Sequence, residues 1–201
     1  MQRQTVLKTV ILINLLFIPA LVSAQTWGLN LGFNSSGFGG DDSEDVKNKS
    51  GFLVGALAIL PMSNGLSIHF EANFTTKGAS IEDVQYYDDK LEWLFNYIEV
   101  PALLQYKVNT SGSIAPFFYA GPAIALKLNA KMKYSAGSDS DTESVDDVKS
   151  IDFGLIFGGG INFAKQYYLS VRYTRGMTTW FDGTGLDLTN KVISFVGSIT
   201  L

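Results

Sequence analysis

Apolar and polar residues alternate with a period of two along most of this chain, the pattern of strands that show one apolar face. The last segment is the plainest: Ile193, Phe195, Gly197, Ile199 and Leu201 alternate with Ser194, Val196, Ser198 and Thr200. Before it, Tyr167, Leu169, Val171 and Tyr173 alternate with Tyr168, Ser170, Arg172 and Thr174. Leu66, Ile68, Phe70, Ala72 and Phe74 stand opposite Ser67, His69, Glu71, Asn73 and Thr75. Ile98, Val100, Ala102, Leu104 and Tyr106 stand opposite Tyr97, Glu99, Pro101, Leu103, Gln105 and Lys107, and Trp27, Leu29, Leu31 and Phe33 alternate with Gly28, Asn30, Gly32 and Asn34. Three further apolar segments, 51–60, 114–134 and 151–163, bring the expected strands to eight. Segment 51–60 is apolar on both faces and does not declare its orientation. Pro101, Pro116 and Pro122 each remove a ladder donor, so bulges are expected there.

The connections alternate in length. Polar stretches at about 35–50, 78–95, 135–150 and 178–190 are long; 61–65, 109–112 and 164–166 are short. Long connections at one end and short turns at the other predict an up-and-down antiparallel barrel with both termini on the periplasmic side.

Residues 1–24 have the form of a secretory leader. Arg3 and Lys8 precede the apolar run 10–21, and Val22-Ser23-Ala24 supplies small residues at the cleavage position, so the mature chain is expected to start at Gln25 and to form one barrel domain over 25–201. With no later stretch approaching a transmembrane helix, any membrane crossing requires a closed barrel, because an open sheet edge cannot be satisfied in lipid. Charged residues are only 17% of the chain and the formal charge is −4, which removes nucleic acid as an expected partner. The absence of Cys excludes disulfides, thiolate metal sites and a Cys nucleophile.

Which face meets lipid follows from cost. His69, Glu71, Glu99, Lys107, Lys127 and Arg172 share one face with small residues, whereas the opposite face is almost entirely Leu, Ile, Val, Phe, Tyr and Ala. An eight-strand interior is just wide enough for side chains to fill, so charges can pair inside while the apolar face meets lipid. The predicted fold is therefore all-β, an eight-stranded antiparallel up-and-down transmembrane β-barrel of the outer membrane.

Several strands carry a family likeness. Tyr97-Ile98-Glu99-Val100-Pro101-Ala102-Leu103-Leu104-Gln105-Tyr106-Lys107 resembles a strand signature of Bacteroidota outer-membrane β-barrel proteins, often labelled porin-family or PorT-like. Pro116-Phe117-Phe118-Tyr119-Ala120-Gly121-Pro122 resembles their next strand. Asp152-Phe153-Gly154-Leu155-Ile156-Phe157-Gly158-Gly159-Gly160 and Val171-Arg172-Tyr173-Thr174-Arg175-Gly176 resemble the two strands after that. The resemblance implies an eight-stranded outer-membrane barrel and brings no assigned activity with it.

Candidate chemistry is sparse. His69, Glu71, Glu99, Lys107 and Arg172 are expected to form a structural polar network in the lumen, with Glu71 and Arg172 at similar height above short turns. The sole histidine, His69, is the one candidate for a lipid-modifying centre with Ser67, but its register puts it inside the barrel. Gly158-Gly159-Gly160 is expected to make room for a large lumen side chain. The long connections are acidic: Asp41, Asp42, Glu44 and Asp45; Glu82, Asp83, Asp88, Asp89 and Glu92; Asp139, Asp141, Glu143, Asp146 and Asp147. Asp139, Asp141 and Glu143 share part of a calcium-loop spacing without its Gly and distal Glu, and form a candidate cation-binding loop. These features predict a non-enzymatic envelope barrel without a cofactor or resident metal. Its expected contacts are outer-membrane lipid, lipopolysaccharide and a protein partner at the loops. A narrow porin is the alternative, and a lipid-modifying enzyme a more distant one.

Overall fold

The computed structural model describes residues 26–39, 47–82, 90–136, 139–145, 149–179 and 189–201. The expected leader 1–24 and the acidic residues Asp41, Asp42, Glu44, Asp45, Asp83, Asp88, Asp89, Asp146 and Asp147 lie outside them. Nine strands are formed: β1 (Thr26–Gly39), β2 (Lys47–Pro61), β3 (Leu66–Glu82), β4 (Lys90–Lys107), β5 (Ile114–Ala136), β6 (Asp139–Ser144), β7 (Ile151–Phe163), β8 (Tyr167–Gly176) and β9 (Thr189–Thr200). All pairings are antiparallel in the order β4-β3-β2-β1-β9-β8-β7-β5, β4–β5 pairing completes the ring, and β6 pairs with β5 alone. Eight strands therefore close an all-β antiparallel barrel, and closure satisfies every sheet edge that lipid would leave unpaired.

The ninth strand was not expected. Residues 135–150, read as one loop, instead continue β5 to Ala136 and return as β6, which pairs with Lys131–Ala136 of β5 above the β5–β7 ladder. The stretch DSDTES has one β-branched residue, Thr142, and no aromatic, little of the usual content of a strand. It pairs because β5 presents a free edge beyond the point where β7 begins. The 78–95 connection is likewise shortened from both sides, since β3 runs to Glu82 and β4 starts at Lys90.

The expected proline bulges are absent. Register shifts fall instead between Asn48 and Leu53 on β2 and between Asn96 and Tyr97 on β4. Near Pro101 the β3–β4 ladder skips a step and resumes at the same register, and near Pro122 the β4–β5 ladder does the same. A missing donor costs a hydrogen bond, but it does not insert a residue, so the alternation continues through all three prolines.

Exposure follows the alternation. Leu29, Leu31, Phe33, Phe118, Phe157, Leu169 and Phe195 stand on the outer wall, each more than half exposed. Asn30, Asn34, Glu71, Asn73, Glu99 and Arg172 are buried in the lumen. β2 turns Leu53, Leu57 and Ile59 inward and Phe52 and Val54 outward, so this part of the lumen is apolar. Its inward glycines have a purpose. A side chain at Gly51 would meet Thr76 Oγ1 at 2.6 Å, and one at Gly55 would meet Asn73 Cα at 2.7 Å. Through these gaps β1 bonds directly to β3: Asn34 Nδ2 donates to Thr75 Oγ1 at 2.8 Å, and Asn30 Nδ2 to Asn73 Oδ1 at 3.3 Å.

Candidate functional site in the barrel lumen

The lumen is closed by charged side chains at two levels. At the level nearer the short turns, Arg172 of β8 reaches across to Glu71 of β3 as a two-pronged pair, Nη1 to Oε2 at 2.9 Å and Nη2 to Oε1 at 3.1 Å. Both side chains are almost wholly buried, at 3% and 4% exposure. Asn73 Nδ2 donates to the same Glu71 Oε2 at 2.7 Å, so a chain of bonds runs from Asn30 through Asn73 and Glu71 to Arg172. Planar guanidinium against planar carboxylate is the strongest geometry for such a pair, and burial frees it from screening by salt.

Aromatic rings pack around this pair. Arg172 lies 5.5 Å from the Tyr119 ring centroid, Tyr119 stacks on Phe117 at 5.9 Å, and Phe117 meets Tyr168 edge-on at 5.6 Å. Tyr119 Oη donates to Ser170 Oγ at 3.1 Å. Gly158, the direct neighbour of Tyr119 across the β5–β7 ladder, provides the room: a Cβ there would lie 2.6 Å from Tyr119 Cε2 and 2.7 Å from its hydroxyl. The glycine run thus accommodates a large lumen ring. What remains beside Glu71, Arg172, His69 and Tyr119 is a cavity of about 20 Å³, room for a single water.

At the second level, nearer the long connections, Lys77 of β3 pairs with Glu99 of β4, again with both side chains almost wholly buried. Lys77 Nζ sits 5.3 Å from the centroid of Tyr97, which stacks on Phe95. Asp152 of β7 is held by Asn190 Nδ2 of β9 at 2.5 Å. Cations with buried carboxylates at both levels satisfy the condition under which charges tolerate a low-dielectric interior.

The five lumen residues singled out from sequence thus fall into separate groups. Glu71 and Arg172 meet. Glu99 joins neither of them but Lys77, which lies just beyond the clear end of the alternating segment. His69 Nε2 lies 3.1 Å from Ser67 Oγ, two residues away on the same strand, with its ring edge-on to Tyr168 at 6.3 Å. Lys107 lies at the short-turn rim of the barrel. A serine and a histidine at that distance could exchange a proton. The adjoining void measures about 20 Å³, room for one water. The three acidic residues proposed for a cation lie on β6 rather than in a loop. Asp141 and Glu143 are exposed, and an Asp141 carboxylate oxygen accepts the Thr142 N–H at 2.8 Å. Strand geometry sets alternate residues about 7 Å apart, so one ion would reach two of them at most. Among the described residues no cluster of three or more His, Asp or Glu side chains could hold a metal.

The chain matches a family described as outer membrane protein beta-barrel domain over residues 23–182. It belongs to that family. Membership accounts for the apolar outer wall, which meets the lipid of the outer membrane. No curated protein matches the chain. Among solved structures it is similar to the outer membrane enzyme PagL at 16% identity and TM-score 0.51, covering 86% of this chain and 98% of that one. It is also similar to Neisserial surface protein A at 12% identity and TM-score 0.48, covering 86% and 96%. For the attachment invasion locus protein Ail of Yersinia pestis, solved with the heparin analogue sucrose octasulfate, the values are 15%, 0.47, 88% and 98%. At these identities the likeness concerns fold alone.

Proposed function

We propose that this protein is a plugged, non-enzymatic barrel that holds its long, acidic connections at the cell surface for a structural or interaction role, with its short turns and both termini in the periplasm. The observation that carries this reading is the filled lumen: two levels of buried ion pairs and a ring cluster leave about 20 Å³ beside Glu71 and Arg172. His69, Glu71, Glu99 and Arg172 then serve as structural filling, whereas Lys107 stands apart from them at the rim. The strand motifs around Glu99, Tyr119, Asp152 and Arg172 support a place among the PorT-like barrels of Bacteroidota. Residues 1–24 act as a cleaved leader, so intact mass should give a mature chain that begins at Gln25. Lipopolysaccharide phosphates bridged by cations, or a basic protein, suit Asp139, Asp141, Glu143 and the other acidic residues at that end.

The experiment is planar-bilayer recording of the refolded chain. Steady large single-channel currents would reject the plugged barrel and establish a narrow porin. A flat baseline with protein shown to be inserted supports the proposal.

A further inference from the structure

The geometry points to an oxyanion-binding cup at the short-turn rim, which takes the carboxylate or phosphate group of a small ligand between Lys107 and Lys165. A cavity of about 400 Å³ opens between the 108–113 connection and the β7–β8 turn. Its lining includes both lysines, with Asn109, Thr110, Ser111 and Ser113 as hydrogen-bonding neighbours.

Three independent features converge on it. First, neither lysine has an ion-pair partner among the described residues, whereas Lys49, Lys77, Lys90 and Arg172 all do. The sequence places no Asp or Glu in any short turn or in 25–29, 108–118 or 160–170, and no carboxylate side chain among the described residues pairs with either lysine. Second, the turn that carries Lys165 is strained. Ala164 and Lys165 have φ of 49° and 64°, a left-handed pair that two-residue hairpins normally give to Asn and Gly. Strain of this kind gathers at binding sites, where presentation of a side chain outweighs the cost. Third, the turn is fixed in place over the cup. Ala164 N–H donates to Ser113 O at 3.2 Å, Val108 N–H to Pro116 O at 2.8 Å, and Thr110 Oγ1 to Ile114 O at 2.7 Å. Two ammonium groups from separate, mutually bonded turns around an open cavity form a preorganised anion receptor.

The test is amide NMR on the refolded full chain in zwitterionic micelles, with ionic strength held constant by sodium chloride so that general screening does not change. Inorganic phosphate and N-acetylalanine are titrated separately. Saturable shifts confined to 107–115 and 162–166 are expected with at least one of them. Saturation by phosphate alone assigns a phosphate site, by the amino acid alone a carboxylate site, and by both a general oxyanion site. K107Q and K165Q should each weaken binding about fivefold, and the double variant should lose saturation. Two further variants separate the cation from the strain. K165G should bind as weakly as K165Q yet unfold at higher urea, whereas A164N should also unfold at higher urea and keep wild-type binding. No saturation with either anion, saturation unchanged in the double variant, or equal shifts at Lys131, Lys133 and Lys149 would each overturn the cup.

Discussion

Removing both members of the Glu71–Arg172 pair should cost no more than removing one. In Glu71→Gln the guanidinium of Arg172 keeps its burial at 3% exposure and its ring contact with Tyr119, but loses one of two carboxylate oxygens and the opposing charge. Breaking a buried pair from one side costs about 3–5 kcal/mol. The retained amide oxygen of Gln can still accept one bond, so the lower end, about 3 kcal/mol, is expected for Glu71→Gln. Arg172→Met leaves Glu71 with only the Asn73 amide at 2.7 Å and should cost a similar about 3 kcal/mol. The double variant has no uncompensated charge and should cost about 2–3 kcal/mol in total, mostly from packing around Tyr119 and Ser170. The coupling between the two sites then comes to about 3–4 kcal/mol, well above the ~0.5 kcal/mol scatter of independent sites. Urea unfolding in micelles, followed by the gel-mobility difference between folded and unfolded barrel, supplies the four stabilities. Additivity within that scatter would refute the pairing. A parallel cycle on Glu99→Gln and Arg172→Met should be close to additive, because Glu99 is engaged by Lys77.

Gly158→Val should lower unfolding stability by roughly 1–3 kcal/mol through collision with the Tyr119 ring, and Tyr119→Ala in the same chain should recover part of the loss; a stability equal to wild type would show that the ring does not depend on the glycine. His69→Ala should leave the mass spectrum of envelope lipid A unchanged when expressed in the native host, and a lipid species that vanishes with the substitution would establish a lipid-modifying centre. At the long-connection end, burial works against ionised Glu92, but hydrogen bonds from Lys49 and Lys90 outweigh it and hold the carboxyl below its ordinary range. Its folded-state pKa is below the unfolded one, so its contribution is present above pH ~4.5 and disappears as pH falls through the folded value. Glu92→Gln should flatten that acid limb slightly, the effect being small for a partly exposed group; an unaltered limb would count against the contact.

Much of the fold was legible because the alternation is strict where each strand has one face in lipid and the other in the lumen. The height of Glu71 and Arg172 above short turns could be counted in residues, and this placed them near one level. Other features were hidden for identifiable reasons. Segment 51–60 looked undirected because its lumen face is itself apolar, with Leu53, Leu57 and Ile59 packed inside. Lys77 escaped notice because β3 runs on past Thr75 into a stretch with small residues on both faces. β6 was invisible because its pairing is imposed by the edge of β5 rather than by its own side chains. The prolines misled in the opposite direction, since a lost donor resembles a bulge in sequence but leaves register intact.

The long reach of β4 and β5 makes the rim of this barrel unequal around its circumference. Asn96 Nδ2 donates to Asn129 Oδ1 at 3.0 Å on the outer wall, close to where the apolar band gives way to Lys131 and Lys133. Beyond that mark β5 continues to Ala136 and carries β6 on its edge. At about 3.4 Å per residue, this rises roughly 20 Å along the strand direction. A large molecule that approaches along the membrane plane from the β5 side would meet this parapet before any other described strand. One that comes from the β1–β9 side, where β9 begins at Thr189 and β1 ends at Gly39, would find a much lower described wall. Along the described rim, approach from the β5 side and approach from the β1–β9 side therefore meet walls of different height.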